Sequence, residues 1–100
     1  MPSDPIQVDP QHYSVHLENE HVRVLRVRYQ PGHQSVMHSH PPSIAVVLTD
    51  GRVRFTFPDG RVRERDVKAG DVHWHPAGEH CPENIGATAL EVVLIELKRG

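Results

Sequence analysis

The sequence predicts an all-β fold, a closed barrel or double-sheet jelly roll (a double-stranded β-helix), and three observations carry that prediction. Short apolar or alternating stretches recur along the chain, each bounded by turn residues. Proline or glycine stands at nearly every corner, as in Pro31-Gly32, Pro41-Pro42, Asp59-Gly60, Ala69-Gly70 and Ala77-Gly78. No stretch sustains a helical period. A jelly roll encloses a pocket between its sheets, so residues on the inner faces can meet a cavity instead of solvent.

Taken in order, residues 1–11 carry Pro2, Pro5 and Pro10 among polar residues and read as an N-terminal arm without a regular element. Residues 12–100 form the single barrel domain. From His12 to Leu17 the chain alternates, with Tyr13, Val15 and Leu17 inward and His12, Ser14 and His16 outward as surface residues. Val22 to Tyr29 is a strand whose apolar phase slips between Val24 and Leu25, the mark of a bulge or a bend. Residues 35 to 40, if extended, put Val36, His38 and His40 on one side and Met37 and Ser39 on the other. Ile44 to Leu48 is apolar on both faces, as in a buried central strand.

Arg52 to Phe57 and Arg61 to Val67 flank Pro58-Asp59-Gly60, which predicts a hairpin closed by a type I turn with a bulge. Pairing Phe57 with Arg61 sets Arg54 opposite Glu64 and Arg52 opposite Asp66, whereas a two-residue loop would oppose Arg54 to Arg65, a like-charge pair. The first register is expected. Val72 to Pro76 and Glu79 to Asn84 are further strands. In the last strand, Ala89 to Lys98, Leu90, Val92 and Leu94 face one side and Val93, Ile95 and Leu97 the other.

Composition excludes several functions. The net charge of -2 offers no basic face for nucleic acid, and the arginines of the hairpin alternate with Asp59, Glu64 and Asp66 as in a solvated, salt-bridged edge. No window approaches a membrane span and no basic-then-apolar leader stands at the N-terminus, so a cytoplasmic location is expected. Cys81, the lone cysteine, has no internal disulfide partner. A sheet face that is apolar on both sides of the last strand calls for a cover, and a homodimer is expected.

Nine histidines are the chain's most distinctive feature. His38 and His40, two residues apart after a turn, converge on one point if the strand is extended, and neutral imidazole is the commonest protein ligand of transition metals. A third ligand must come from elsewhere in the chain.

These residues resemble the cupin superfamily, small metal-binding jelly rolls, over residues 32–84. The first cupin motif spaces a glycine, a His-x-His pair, a glutamate and a second glycine; Gly32, His38, His40 and Gly51 take those places, but Ile44 or Ala45 stands where the glutamate should. The second spaces a glycine, Pro-x-Gly, a histidine and an asparagine; Gly70, Pro76, Gly78, His80 and Asn84 follow it with one residue fewer before the histidine. The resemblance implies that His38, His40 and His80 ligate a divalent transition metal, without the usual carboxylate. Three neutral imidazoles leave the ion's charge uncompensated and positions open, which suits an anionic ligand. Three-histidine cupins include dioxygenases, so the resemblance implies a metal-dependent oxygenase acting on a small anionic metabolite. Fe(II) is favoured, and Zn, Ni, Cu or Mn would also suit. The alternative is a non-catalytic cupin that binds or senses a small molecule.

Other residues have plainer readings. His73 and His75 share a face and are more often surface or interface residues than ligands. Trp74 is expected in the core with its ring N–H satisfied, and Met37 and Cys81 as packing residues. Glu79 would replace the missing carboxylate only against the alternation that points it away from His80.

Overall fold

In the computed structural model, which describes residues 4–98, the chain forms two antiparallel sheets packed face to face. The strands are β1 (Tyr13–Glu18), β2 (Val22–Tyr29), β3 (His38–His40), β4 (Ser43–Val47), β5 (Gly51–Thr56), β6 (Val62–Val67), β7 (Val72–His75), β8 (Gly78–Asn84) and β9 (Leu90–Leu97). One sheet runs β1-β2-β9-β4-β7 and the other β3-β8-β5-β6. Alternation sends Leu25, Val27 and Tyr29 of β2, Ala45 and Val47 of β4, and Leu90 and Leu94 of β9 inward against Val53 and Val67 of the other sheet. This is the all-β jelly roll that the turn spacing predicts.

The hairpin register follows the charges. Arg52 stands opposite Asp66 and Arg54 opposite Glu64, and the Phe57 N–H donates to the Arg61 carbonyl at 2.9 Å. Gly60 has φ +87°, the left-handed conformation that this turn requires and that a side chain would oppose. Gly32 and Gly70 adopt φ of +81° and +93° for the same reason, which gives the motif glycines a physical role. The motif asparagine, Asn84, is fully buried: its amide donates to the Tyr29 and Thr88 carbonyls while its oxygen accepts from the Gly86 N–H. It ties the end of β8 to the sheet opposite.

Several expectations are corrected. Residues Pro5–Val8 form one helical turn (α1) where an irregular arm is expected, because Asp4 caps it through Ile6 N–H and Pro5 starts it with a preset φ. His12 is buried at 7 % exposure, not outward, since it precedes β1 and follows the turn that places it on Asp9. Tyr13 is buried, but Val15 and Leu17 are exposed because β1 is the edge of its sheet. The slip at Val24 and Leu25 corresponds to a bulge that lies in β1: Val15 pairs with Leu25 and Leu17 with Val24, leaving His16 as the extra residue. β2 itself pairs with β9 without interruption.

Trp74 lies on the surface at 59 % exposure, not in the core. The phase of β7 turns His73 and His75 inward and leaves Val72 and Trp74 outside. Regular strand is confined to His38–His40, so Val36 does not share the histidines' face and is exposed.

Candidate metal centre

β3 and β8 are neighbours, and their register sets His38 directly opposite His80, with His40 opposite Gly78. Cross-strand partners project to the same face, and so do residues two apart on one strand. The three imidazoles therefore meet. Their ring centroids are 4.7, 4.9 and 5.1 Å apart, their planes are inclined at 83°, 89° and 75°, and one nitrogen from each lies within 4.8 Å of the others. Three mutually steep rings of this kind present three lone pairs to one point, as metal ligation requires.

The outer nitrogens of His38 and His40 are committed elsewhere, which fixes those two tautomers. His38 Nδ1 lies 2.8 Å from the Val36 carbonyl oxygen and 3.1 Å from Ser35 Oγ. A carbonyl only accepts, so Nδ1 carries the proton and Nε2 the lone pair. His40 Nδ1 donates to Glu96 Oε2 at 2.7 Å, again freeing Nε2. His80 Nε2 is buried with no hydrogen-bond partner, an orphan of the kind that a bound ion would satisfy. On this test the residues fit a divalent transition metal. Among the described residues no carboxylate joins the group.

The electrostatics agree. Burial, reinforced by the charge that His40 would carry, lowers the His38 imidazole to about 4 and His80 to about 2, so both are neutral near pH 7. Burial likewise holds His75 at about 4, with Arg65 the next contributor. The Tyr13 hydroxyl lies 3.1 Å from His38 Nε2 and 2.6 Å from the Tyr29 hydroxyl, and burial raises both phenols above their usual range. These groups are neutral donors and acceptors, not charges.

Behind the histidines is an apolar cavity of about 80 Å³, walled by Val27, Val47, Val53, Leu90 and Leu94 among others. His40, Phe55, Arg65, His75 and His80 line both this cavity and an outer vestibule of about 490 Å³. Phe55 stacks on His80 at 5.2 Å between centroids, holding that ring in place.

Residues 25–96 match the family model for the cupin domain. The chain belongs to the cupin family. It is 36 % identical over 85 residues to the beta-alanine degradation protein BauB of Pseudomonas aeruginosa, covering 83 % of this chain and 86 % of that one. Its fold is shared with a cupin domain from Bordetella pertussis Tohama I, with a TM-score of 0.81, 29 % identity and coverage of 87 % and 92 % of the two chains. It is also similar to a Thermotoga maritima protein described as a predicted oxalate decarboxylase, with a TM-score of 0.61, 29 % identity and coverage of 85 % and 78 %.

Within the cupin barrel, His38, His40 and His80 come together as the motif implies, and the shortened second motif does not turn His80 away. Ala45, in the region of the missing glutamate, is buried against the cavity. Glu79 is exposed and lies opposite Ser39, away from the imidazoles. His73 and His75 line the cavity instead of the surface but stand outside the His38–His40–His80 group. Cys81 is buried and donates to the Ser35 carbonyl at 3.1 Å.

The sequence reading missed four residues that support the site. Glu96 is 2 % exposed and continues the inward row of Leu90, Val92 and Leu94; a carboxylate in that phase is the signal that could have found it. Arg23 donates to Glu96 at 2.8 Å and to Asp4 at 2.9 Å, completing a line from α1 to His40. On the other side, Ser35 Oγ donates to Asp9 at 2.7 Å. Asp9 also accepts from His12 Nδ1, so the arm steadies His38 through Ser35.

Proposed function

We propose that this cupin is a metal-dependent enzyme, an oxygenase acting on a small anionic metabolite, with His38, His40 and His80 holding Fe(II). The observation that supports it most is the all-imidazole set: three converging rings, one with an orphaned Nε2, and among the described residues no carboxylate within the group itself. When bound, the ion supplies a Lewis acid with uncompensated positive charge, at which an anionic substrate and O₂ can be held together. The chain's own part is to fix the rings through Val36, Ser35 and Glu96, to keep bulk water from the apolar cavity, and to admit substrate past Phe55 and His75. The names of two relatives, one concerned with beta-alanine and one with oxalate, both point to small carboxylates.

Anaerobic loading with Fe(II), then O₂ uptake across a panel of thiol, diketone and phenolic acids, tests this reading. Uptake stoichiometric with loss of one substrate class is expected, and metal analysis of protein purified without a histidine tag distinguishes Fe from Zn, Ni, Cu and Mn. The second reading is a non-catalytic cupin that binds or senses a small molecule. It is favoured by one observation, that among the described residues no carboxylate lines the inner cavity to act as a general base. Tight ligand binding without turnover would establish it in place of the oxygenase.

A further inference from the structure

Alternation divides the charges of β6 between two faces. Glu64 and Asp66 point outward, where Arg52 meets them at 3.1 and 3.3 Å and Arg54 meets Glu64 at 2.8 Å. Arg65 falls in the opposite phase, together with Val67, which is buried in the core. Its guanidinium is therefore carried to the inside of the barrel, where it lines the cavity and the vestibule with His40, His75 and His80.

No carboxylate among the described residues lines the inner cavity; Asp59 and Glu79 reach the vestibule, Asp59 paired to Arg61 and Glu79 on β8 without an ion pair to Arg65. Among the described residues Arg65 makes neither an ion pair nor a side-chain hydrogen bond, whereas Arg52, Arg54 and Arg61 each pair with an acid. The imidazole nearest in effect, His75, is neutral, and the Arg65 charge helps to keep it so. A permanent cation on a largely apolar wall, without a counter-ion, is costly to hold unless an anion arrives to meet it. A guanidinium fork matches a carboxylate through two parallel hydrogen bonds, a geometry that lysine lacks. Arg63 also lines the vestibule, where the Arg61 charge is met by Asp59 at 2.7 Å.

We propose that Arg65 is the specificity-determining residue of this site and anchors the carboxylate of a short-chain carboxylate ligand, whose other end reaches the His38–His40–His80 group. This rests on the reading of that group as the reaction centre. The small inner cavity keeps the ligand short, and its apolar wall leaves the carboxylate no other cationic partner.

The test is calorimetric titration of zinc-loaded and metal-free protein with propionate, malonate and the neutral propionamide, with metal content measured on the same samples. Wild type is expected to bind both carboxylates and not the amide. Arg65→Gln should weaken carboxylate binding about tenfold or more while retaining wild-type metal content. Arg52→Gln, on the outer face, should bind as wild type does. If Arg65→Gln does not fold, Arg65→Lys decides, because it keeps the charge but loses the fork; several-fold weaker binding is expected. Equal affinity in the Arg65 variants, an equal loss in Arg52→Gln, or no carboxylate binding to wild type below about 10 mM would overturn the proposal. Carboxylate binding that depends on Arg65 in a protein that takes up no metal would uphold the anchor and sink the metal-dependent reading instead.

Discussion

Glu96 accepts a 2.7 Å hydrogen bond from His40 Nδ1, and both side chains are almost wholly buried. The carboxylate is itself clamped by Arg23, with separations of 2.7 and 2.8 Å. A buried carboxylate behind a ligating histidine fixes the ring and raises its basicity, and loss of such a partner typically costs 10- to 100-fold, roughly, in metal affinity. Glu96→Gln is therefore expected to lower zinc affinity by about that factor in a chelator competition assay, with the fold retained by circular dichroism. Unchanged affinity would mean that His40 needs no carboxylate behind it.

The ligand set predicts a sharper pattern. Alanine at His38, His40 or His80 is expected to abolish stoichiometric metal binding by elemental analysis, because on the proposed reading each supplies one of the three donors found among the described residues. Alanine at His16, which is exposed on the β1 edge, should leave binding unchanged. Full occupancy in His80→Ala together with loss in His75→Ala would move the third ligand to β7.

Acid sensitivity of the metal-free protein follows from the same rings. His38 and His80 are held by burial at about 4 and about 2, against 6.5 for a free imidazole. Below about pH 6.5 the unfolded chain binds protons that the folded chain refuses, so stability falls with falling pH. For His38 that loss is complete near its folded value, and for His80 it continues below. Urea midpoints of metal-free protein should drop steadily between about pH 7 and pH 4.5. His80→Leu should flatten the slope, and a midpoint that rises on acidification would show that the rings are charged in the fold.

How much of this was legible in the sequence depends on what alternation can decide. It fixes which residues share a face, and so it kept Glu79 away from His80, while turn chemistry and charge placed Arg54 opposite Glu64. It does not say which face is inside. In β7 the apolar pair, Val72 and Trp74, is outside and the imidazoles are inside, because histidine tolerates a partly buried cavity wall and the edge strand exposes its outer face. Glu96 and Arg65 stand in the inward phase of their strands, but a charge in that phase becomes meaningful only once its partner strand is known. His12 was misplaced for a different reason: it lies before β1, where alternation does not apply, and its partner Asp9 is set by the helical turn.

The last prediction concerns the outer face of the five-stranded sheet. Leu17, Val24, Ile95, Ile44 and Trp74 stand opposite one another in succession, an apolar row across all its strands from β1 to β7. Val93, Val46 and Val72 form a second row beside it. Leu17, Trp74 and Val72 are 51, 59 and 63 % exposed. With strands about 4.8 Å apart, the two rows cover roughly 300 Å² of sheet, the size at which an exposed apolar patch marks an interaction surface. The expected occupant is a second copy of the chain, because the two rows are apolar apart from Arg26, whose charge is already paired to Glu91, and so they can meet themselves without burying an unpaired charge. Light scattering should give a mass near twice 11.3 kDa at micromolar concentration. Trp74→Glu should bring it to the monomer, since each protomer would bury that carboxylate against its mate. The emission of Trp74, the chain's single tryptophan, should shift to longer wavelength on dilution as the pair comes apart. A wild-type mass near 11.3 kDa at the same concentration would rule the dimer out and leave the apolar face to a different partner.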